Sequence, residues 1–187
     1  MNKAKLFRVY VDFLFLLIIA FLLGACGSSP DLDKPPEIVY GQDVCDECGM
    51  IINEARFAAS YVTTTGEVRR FDDIGNMLLH TYKHQAEVHV YWVHDFNTEA
   101  WINAEKATLV LNPDLVTPMA WSLAAFATEA DAGAYVAKFG GTISTFAALQ
   151  QEVAMGAIEP ALLRSHVHEH SDDAGPTLEM DHEHMGQ

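Results

Sequence analysis

The sequence predicts an α+β domain with mainly antiparallel strands, arranged as two copies of a ββαβ unit. The predicted helices are separated by hairpins rather than by strict strand-helix-strand alternation, which favours α+β over α/β. Phe71 and Phe126 each stand at the head of a predicted helix, which indicates an internal repeat. Residues 44–160 are about 117 residues, enough for one hydrophobic core, so we expect a single compact domain.

The first ββαβ unit is predicted from strands with alternating apolar residues and from one helix with an N-cap. Asp72 and Asp73 precede apolar residues at helical spacing and can cap that helix, with Met77 on its inner face. His80 and His84 are spaced to chelate a metal, but we expect two solvated side chains. The predicted elements are a strand over 57–64, a turn at Gly66, a strand over 67–71, a helix from 74 to about 84 and a strand over 87–93.

The second unit repeats part of this order. Thr128 with Asp131 three residues later resembles a capping box at a helix start. Gly140 and Gly141 end that helix, because glycine adopts the left-handed conformation of helix termini. The predicted elements are a strand over 121–126, this helix, a strand over 142–145 and a last helix over 146–155.

The N-terminus predicts export and lipidation. Residues 1–25 carry three basic side chains ahead of an apolar run of about eleven residues, too short to cross a membrane. The run ends in small residues before Cys26, which resembles a bacterial lipobox, although an ordinary export signal would look similar. We expect Cys26 to carry acyl chains that hold the protein on a membrane. Gly27 after it favours the outer over the inner membrane.

Charge narrows the possible partners. Residues 26–43 are rich in Ser, Pro, Gly and Asp and predict a tether. From Cys26 onward the chain has 8 Lys and Arg against 25 Asp and Glu, a net charge of −17. Nucleic acid and acidic phospholipid would be repelled, whereas a cation or a basic protein surface would be attracted.

Cys45, Cys48 and Met50 form a compact sulfur cluster, for which four interpretations compete. A disulfide between positions three apart constrains little of the unfolded chain. Structural zinc requires four ligands, and no second pair follows at suitable spacing. A thiol-disulfide oxidoreductase with Cys45 as the attacking thiol fits the C-x-x-C spacing, with Thr117 and Pro118 as a possible cis-proline loop.

Copper(I) is the fourth interpretation, and the surroundings favour it over the oxidoreductase. The cysteines follow a tether rather than a buried parallel strand, and Asp43, Asp46 and Glu47 would raise a thiol pKa. Thiolate and thioether ligands in low number suit copper(I). No nucleophile, base and orienting group occur together, so we do not expect an enzyme.

The C-terminal residues 161–187 predict a disordered acidic tail, because they have little apolar content and no periodicity. Alternating histidines there can bind divalent metals weakly through neutral imidazoles; a tail with no function other than solubility is the alternative. The auxiliary ligands would be His166, His168, His170, His182 and His184.

Several motifs together resemble the NosL family of nitrous-oxide reductase accessory lipoproteins, over roughly residues 44–149. They are the lipobox, Cys45-x-x-Cys48-Gly49-Met50, Phe71-Asp72-Asp73 followed by Met77, and Thr117-Pro118-Met119 followed by Phe126. The family often has Pro-Met-Gly where this chain has Ala120, which restricts the backbone.

The resemblance implies a membrane-anchored, periplasm-facing copper(I) chaperone with a duplicated ββαβ fold. Cys48, Met50 and Met119 match the metal-binding positions of the family, and Cys45 is the further candidate ligand. The implied partners are nitrous-oxide reductase, whose copper-sulfide centre would receive the copper, and its membrane transporter complex. A thiol-disulfide oxidoreductase is the second hypothesis, and a passive copper-storage lipoprotein the third.

Overall fold

The computed structural model describes residues 31–160, together with Phe7 and Leu14. The predicted signal, Cys26 and the tail histidines therefore lie outside the described residues. The chain divides into two units, Met1–Asp31 and Leu32–Gln187, and every strand described below belongs to the second. None of the helices among the described residues is long and apolar enough to cross a membrane.

Residues 31–160 contain a short 3-10 helix at Ala55–Phe57, followed by seven strands and three α-helices. The strands are β1 Ala59–Thr63, β2 Val68–Phe71, β3 Val88–His94, β4 Trp101–Asn103, β5 Thr108–Leu111, β6 Leu123–Phe126 and β7 Thr142–Ser144. The helices are α1 Ile74–His84, α2 Glu129–Phe139 and α3 Phe146–Ala154.

The sheet topology confirms the α+β class and the duplicated unit. One sheet has the order β2-β1-β3-β4, the other has the order β6-β5-β7, and all their strand pairs are antiparallel. Each unit thus places its first strand between its second and third, with a helix after the second. Phe71 and Phe126 are equivalent, because each ends the second strand of its unit.

Two strands, β4 and β5, were not predicted from the sequence. β4 and β5 are only three and four residues long, and β5 (TLVL) is an apolar run without the alternation that indicates a strand. The predicted strand over 121–126 is the second strand of its unit, and it begins only at Leu123. Trp121, which was assigned to it, instead packs against α1.

One hydrophobic core joins the two ββαβ repeats, both of which lie within Leu32–Gln187. Its buried members include Tyr61, Met77, Leu109 and Leu149, which come from both halves of the chain. The prediction that Met77 lies in the core is confirmed. Ile38 is also buried there, so packing against the domain begins before the predicted start at Val44.

Trp121 holds the start of α1 in place. Its indole Nε1 donates a hydrogen bond to Asn76 Oδ1 at 2.9 Å, and its ring lies directly over Gly75. A Cβ atom at Gly75 would lie 2.0 Å from the ring, far inside van der Waals contact. A glycine is therefore required at this position because of space, not backbone conformation.

We expect Gly75→Ala to lower the free energy of unfolding by about 1–3 kcal/mol or more, because the indole must move out of a packed core. Gly133→Ala in α2 is the matched control: a Cβ there meets nothing within 4 Å, so the change should stabilise by about 0.5–1 kcal/mol. Urea denaturation of both variants measures this. Equal effects of the two substitutions would contradict the packing described.

Candidate metal site

A closed loop carries the two cysteines and Met50. Its ends are joined by an antiparallel bridge between Val44 and Ile51. Cys45 N–H donates to the Met50 carbonyl at 2.8 Å, and Gly49 N–H donates to the Cys45 carbonyl at 2.9 Å. Gly49 has φ +74°, a left-handed conformation that glycine adopts without steric cost. The turn thus brings Met50 back to Cys45.

Asp46 attaches this loop to β2. Its backbone N–H donates to the Arg70 carbonyl at 2.8 Å, and its carboxylate accepts from Arg70 N–H at 2.7 Å. Arg69 adds an ion pair with the same carboxylate at 3.1 Å. Asp46 therefore positions the loop against β2.

The two thiols and Asp72 converge at the start of α1. The Sγ atoms of Cys45 and Cys48 and a carboxylate oxygen of Asp72 all lie within 4.8 Å of one another. Both thiols are free; Cys45 is 2% exposed and Cys48 is half-buried. Cys48 Sγ donates to Asp72 Oδ2 at 3.4 Å, and Asn76 Nδ2 lies 3.6 Å from Cys45 Sγ. This group offers a metal ion two sulfurs and one oxygen.

Asp72 is the residue whose role the sequence analysis missed. Both aspartates were expected to be helix caps, but only Asp73 is one, with Oδ1 accepting from Gly75 N–H at 3.1 Å. Asp72 is also buried, and it accepts from Asn76 Nδ2 at 3.0 Å as well as from Cys48. The sequence did contain a signal for a second role, namely two adjacent aspartates, because one helix start needs only one N-cap residue.

Asp73 also holds the loop that contains Met119. Its Oδ2 accepts from Thr117 Oγ1 at 2.6 Å and from Met119 N–H at 3.2 Å. Met119 is half-buried and packs against the core. Residues 117–119 are thus hydrogen-bonded to Asp73, and the thiol loop is hydrogen-bonded to the adjacent Asp72, at the N-terminal end of α1.

Ala120 stands where the family often has glycine, and it adopts φ +57°. An alanine in this left-handed region costs about 1 kcal/mol because its Cβ approaches the carbonyl oxygen. The backbone therefore keeps the turn that glycine would allow, with local strain next to Met119.

Met50 differs from the two cysteines in its exposure. Its side chain is on the surface, with 52% of the residue exposed, and Val44 and Ile51 beside it are similarly exposed. The buried thiol, the half-buried thiol and the exposed thioether form a gradient from core to solvent.

Electrostatics keep Cys48 protonated while no metal is bound. Burial, together with smaller effects of Cys45 and Asp72, raises the pKa of the Cys48 thiol to about 12, against a lowering by the Met50 N–H. A raised thiol pKa was expected from Asp43, Asp46 and Glu47, but at Cys48 the causes are burial, Cys45 and Asp72. A protonated thiol is a poor nucleophile, whereas a metal ion can replace its proton.

His80 corrects another expectation. It was predicted to be solvated, yet it is 6% exposed and its Nδ1 lies 3.0 Å from Tyr61 Oη. Burial and, to a smaller extent, His84 lower the pKa of His80. Helical spacing alone does not show whether a histidine is buried or exposed. The partner of His80, Tyr61, lies in β1 and not in the helix.

Comparison with known proteins gives consistent matches. The family model NosL matches residues 37–154. The "Copper-binding lipoprotein NosL" of Stutzerimonas stutzeri is 27% identical over 192 residues, covering 95% of this chain and 98% of that protein. The crystal structure of the copper chaperone NosL from Shewanella denitrificans has the same fold, with a TM-score of 0.53 and 22% identity over 60% of this chain and 93% of that one.

Asp73→Asn should destabilise the protein by about 1–3 kcal/mol, since an amide nitrogen cannot accept the two bonds that Oδ2 receives. Burial raises the pKa of Asp73 to about 6 from 3.8. The folded state therefore holds the proton more tightly, and this contribution to stability is present below pH 4 and is lost as the pH rises through 6.

Denaturation between pH 4 and 7 measures this. The difference in unfolding free energy between the parent and Asp73→Asn should be larger at pH 4 than at pH 7 by more than about 1 kcal/mol. Asp114→Asn, an exposed acid between β5 and β6, is the control for loss of one charge. A difference that is the same at every pH would show that Asp73 titrates normally.

Proposed function

The chain belongs to the NosL family, and from this premise we propose that it is a lipid-anchored, periplasm-facing copper chaperone that carries copper(I) between sulfur ligands. The observation that carries the proposal is the pair of free thiols, held together with Asp72 within 4.8 Å. Copper(I) is a soft ion that prefers thiolate and thioether ligands. A copper-binding lipoprotein and a copper chaperone among the similar proteins support the same cargo.

Cys48 is the principal ligand in this proposal. It is half-buried, so the ion can reach it, and its thiol proton already points to the Asp72 carboxylate. When copper(I) replaces that proton, Asp72 can take it up, which limits the negative charge left in a partly buried pocket. Cys45 is the second thiolate, and Met50 and Met119 supply thioethers.

Hand-over follows from the low coordination number. Two or three ligands leave a position open for a ligand of the acceptor, and thioethers leave copper(I) more easily than thiolates. Met50 is the most exposed sulfur of the loop, so we propose that it is exchanged first. The copper then passes by stepwise ligand exchange without release into water.

The acceptor in this proposal is the nitrous-oxide reductase assembly pathway. The chain would supply copper for the copper-sulfide centre of that enzyme, together with a membrane transporter complex. Acyl chains on Cys26 would hold the protein at the outer membrane rather than the inner membrane. The protein itself binds and delivers, and performs no catalysis.

A thiol-disulfide oxidoreductase fits the geometry less well. Cys45 would be its attacking thiol, but this residue is buried and lies in a turn rather than at a helix start. No peptide bond in residues 31–160 is cis, so Pro118 does not form a cis-proline loop. Copper storage would use the same site and would differ only in the absence of delivery.

We expect Cys48→Ser to weaken copper(I) binding at least about 100-fold, equivalent to about 2.8 kcal/mol, because it removes the accessible thiolate. Anaerobic competition against a copper(I) chelator measures the affinity. Met50→Leu should weaken binding about tenfold. Met155→Leu, which changes an exposed methionine outside the loop, should leave binding unchanged. Reduction of insulin disulfides without copper binding would favour the oxidoreductase.

Residues 165–187 are expected to bind further copper weakly, because their alternating histidines can act as imidazole ligands. Deleting them should lower the total copper(II) capacity and leave the tight copper(I) site intact. Titration with each oxidation state measures the two capacities. The same total capacity before and after deletion would remove this role of the tail.

A further inference from the structure

A second group of metal-binding side chains lies outside the sulfur cluster and consists of Glu47, His80 and His84. One ligand atom of each lies within 4.8 Å of the other two, and the group shares no residue with the thiols and Asp72. We propose that it binds one divalent transition-metal ion of the class that prefers imidazole and carboxylate ligands, such as Zn²⁺ or Cu²⁺. The inference does not depend on the copper(I) function proposed above.

Local structure brings the three side chains together. His80 and His84 are four residues apart in α1, so they lie on the same helix face, a spacing that binds zinc in many proteins. Glu47 reaches them from the thiol loop, and its side chain is only 10% exposed. Carboxylates are seldom so buried without a cationic partner, and here that partner is the exposed Lys83.

His80 is already oriented as a ligand. Its Nδ1 lies 3.0 Å from the hydroxyl of Tyr61, which is itself 1% exposed. When Nδ1 carries the hydrogen and donates to that hydroxyl, Nε2 keeps its lone pair for a metal ion. Histidine ligands of metals commonly donate their second ring nitrogen in this way, which sets both the tautomer and the ring orientation.

His84 provides the movement that binding requires. It is exposed and is the last residue of α1, with its ring stacked on that of His80 at a centroid distance of 4.1 Å. Tetrahedral zinc with ligand bonds of about 2.0–2.1 Å brings ligand atoms to about 3.3 Å from one another. His84 therefore turns inward while His80 stays in place. The negative end of the helix dipole also favours a cation here.

A polar cleft of about 490 Å³ opens onto the two histidines. Its walls include Glu67, Arg69 and Glu87, so water can enter and occupy the remaining coordination position. Lys83 occupies the cationic position beside Glu47 while no metal is bound, and it moves into solvent when the metal ion replaces it.

The test follows histidine ring and backbone amide resonances of the full chain by NMR during addition of Zn²⁺. We expect the rings of His80 and His84 and the amide of Glu47 to shift together and to saturate. His84→Gln should weaken this response at least about tenfold, and Lys83→Gln should strengthen it. The matched control is His89→Gln, an exposed histidine paired with Asp33, which should bind as the parent does.

Titrations with other metal ions identify the metal that the site prefers. Mg²⁺ should cause no shift, because it prefers oxygen ligands in octahedral geometry. In the Cys45→Ser/Cys48→Ser variant, which cannot reduce the ion, Cu²⁺ should displace Zn²⁺ and broaden the same resonances, following the order of divalent affinities. Persistence of the zinc shifts would assign the site to Zn²⁺. Rings of His80 and His84 that stay unmoved while other histidines shift would overturn the proposal.

Discussion

The positions of the thiol loop and of residues 117–119 depend on two adjacent buried carboxylates at the start of α1. Asp72 and Asp73 are 2% and 1% exposed, a costly position for acids unless hydrogen bonds compensate for lost hydration. Asp73 accepts from Gly75, Thr117 and Met119, whereas Asp72 accepts from Asn76 and Cys48. The helix N-terminus adds favourable dipole charge. Because neighbouring side chains diverge, one aspartate holds the loop with Met119 and the other contacts the thiols.

The repeated fold explains how distant segments meet at this helix start. The first ββαβ unit supplies α1, the segment before β1 supplies the thiol loop, and the segment between β5 and β6 of the second unit supplies residues 117–121. Trp121 closes the junction by packing on Gly75 and bonding Asn76, which also contacts Cys45 and Asp72. Cys45, Cys48 and Met119 therefore contact this buried network, whereas Met50 is exposed at the surface.

Local periodicity predicted most of the first unit, because β1, α1 and β3 carry clear alternation or helical spacing. It did not predict β5, whose four residues become a strand only through pairing with β6 and β7. The Cys45, Cys48 and Met50 cluster was evident from spacing, whereas Met119 was reached only through resemblance to a family. Asp72 and the burial of His80 depend on contacts between distant segments, which neither spacing nor composition reveals.

We propose that sulfur atoms of this pocket bind copper(I). X-ray absorption at the copper edge, on anaerobic protein loaded with one equivalent of copper(I), identifies the atoms bound to the metal. We expect a first shell of two or three sulfur atoms that loses one sulfur in Cys48→Ser. A first shell of nitrogen and oxygen atoms, unchanged by that substitution, would contradict it.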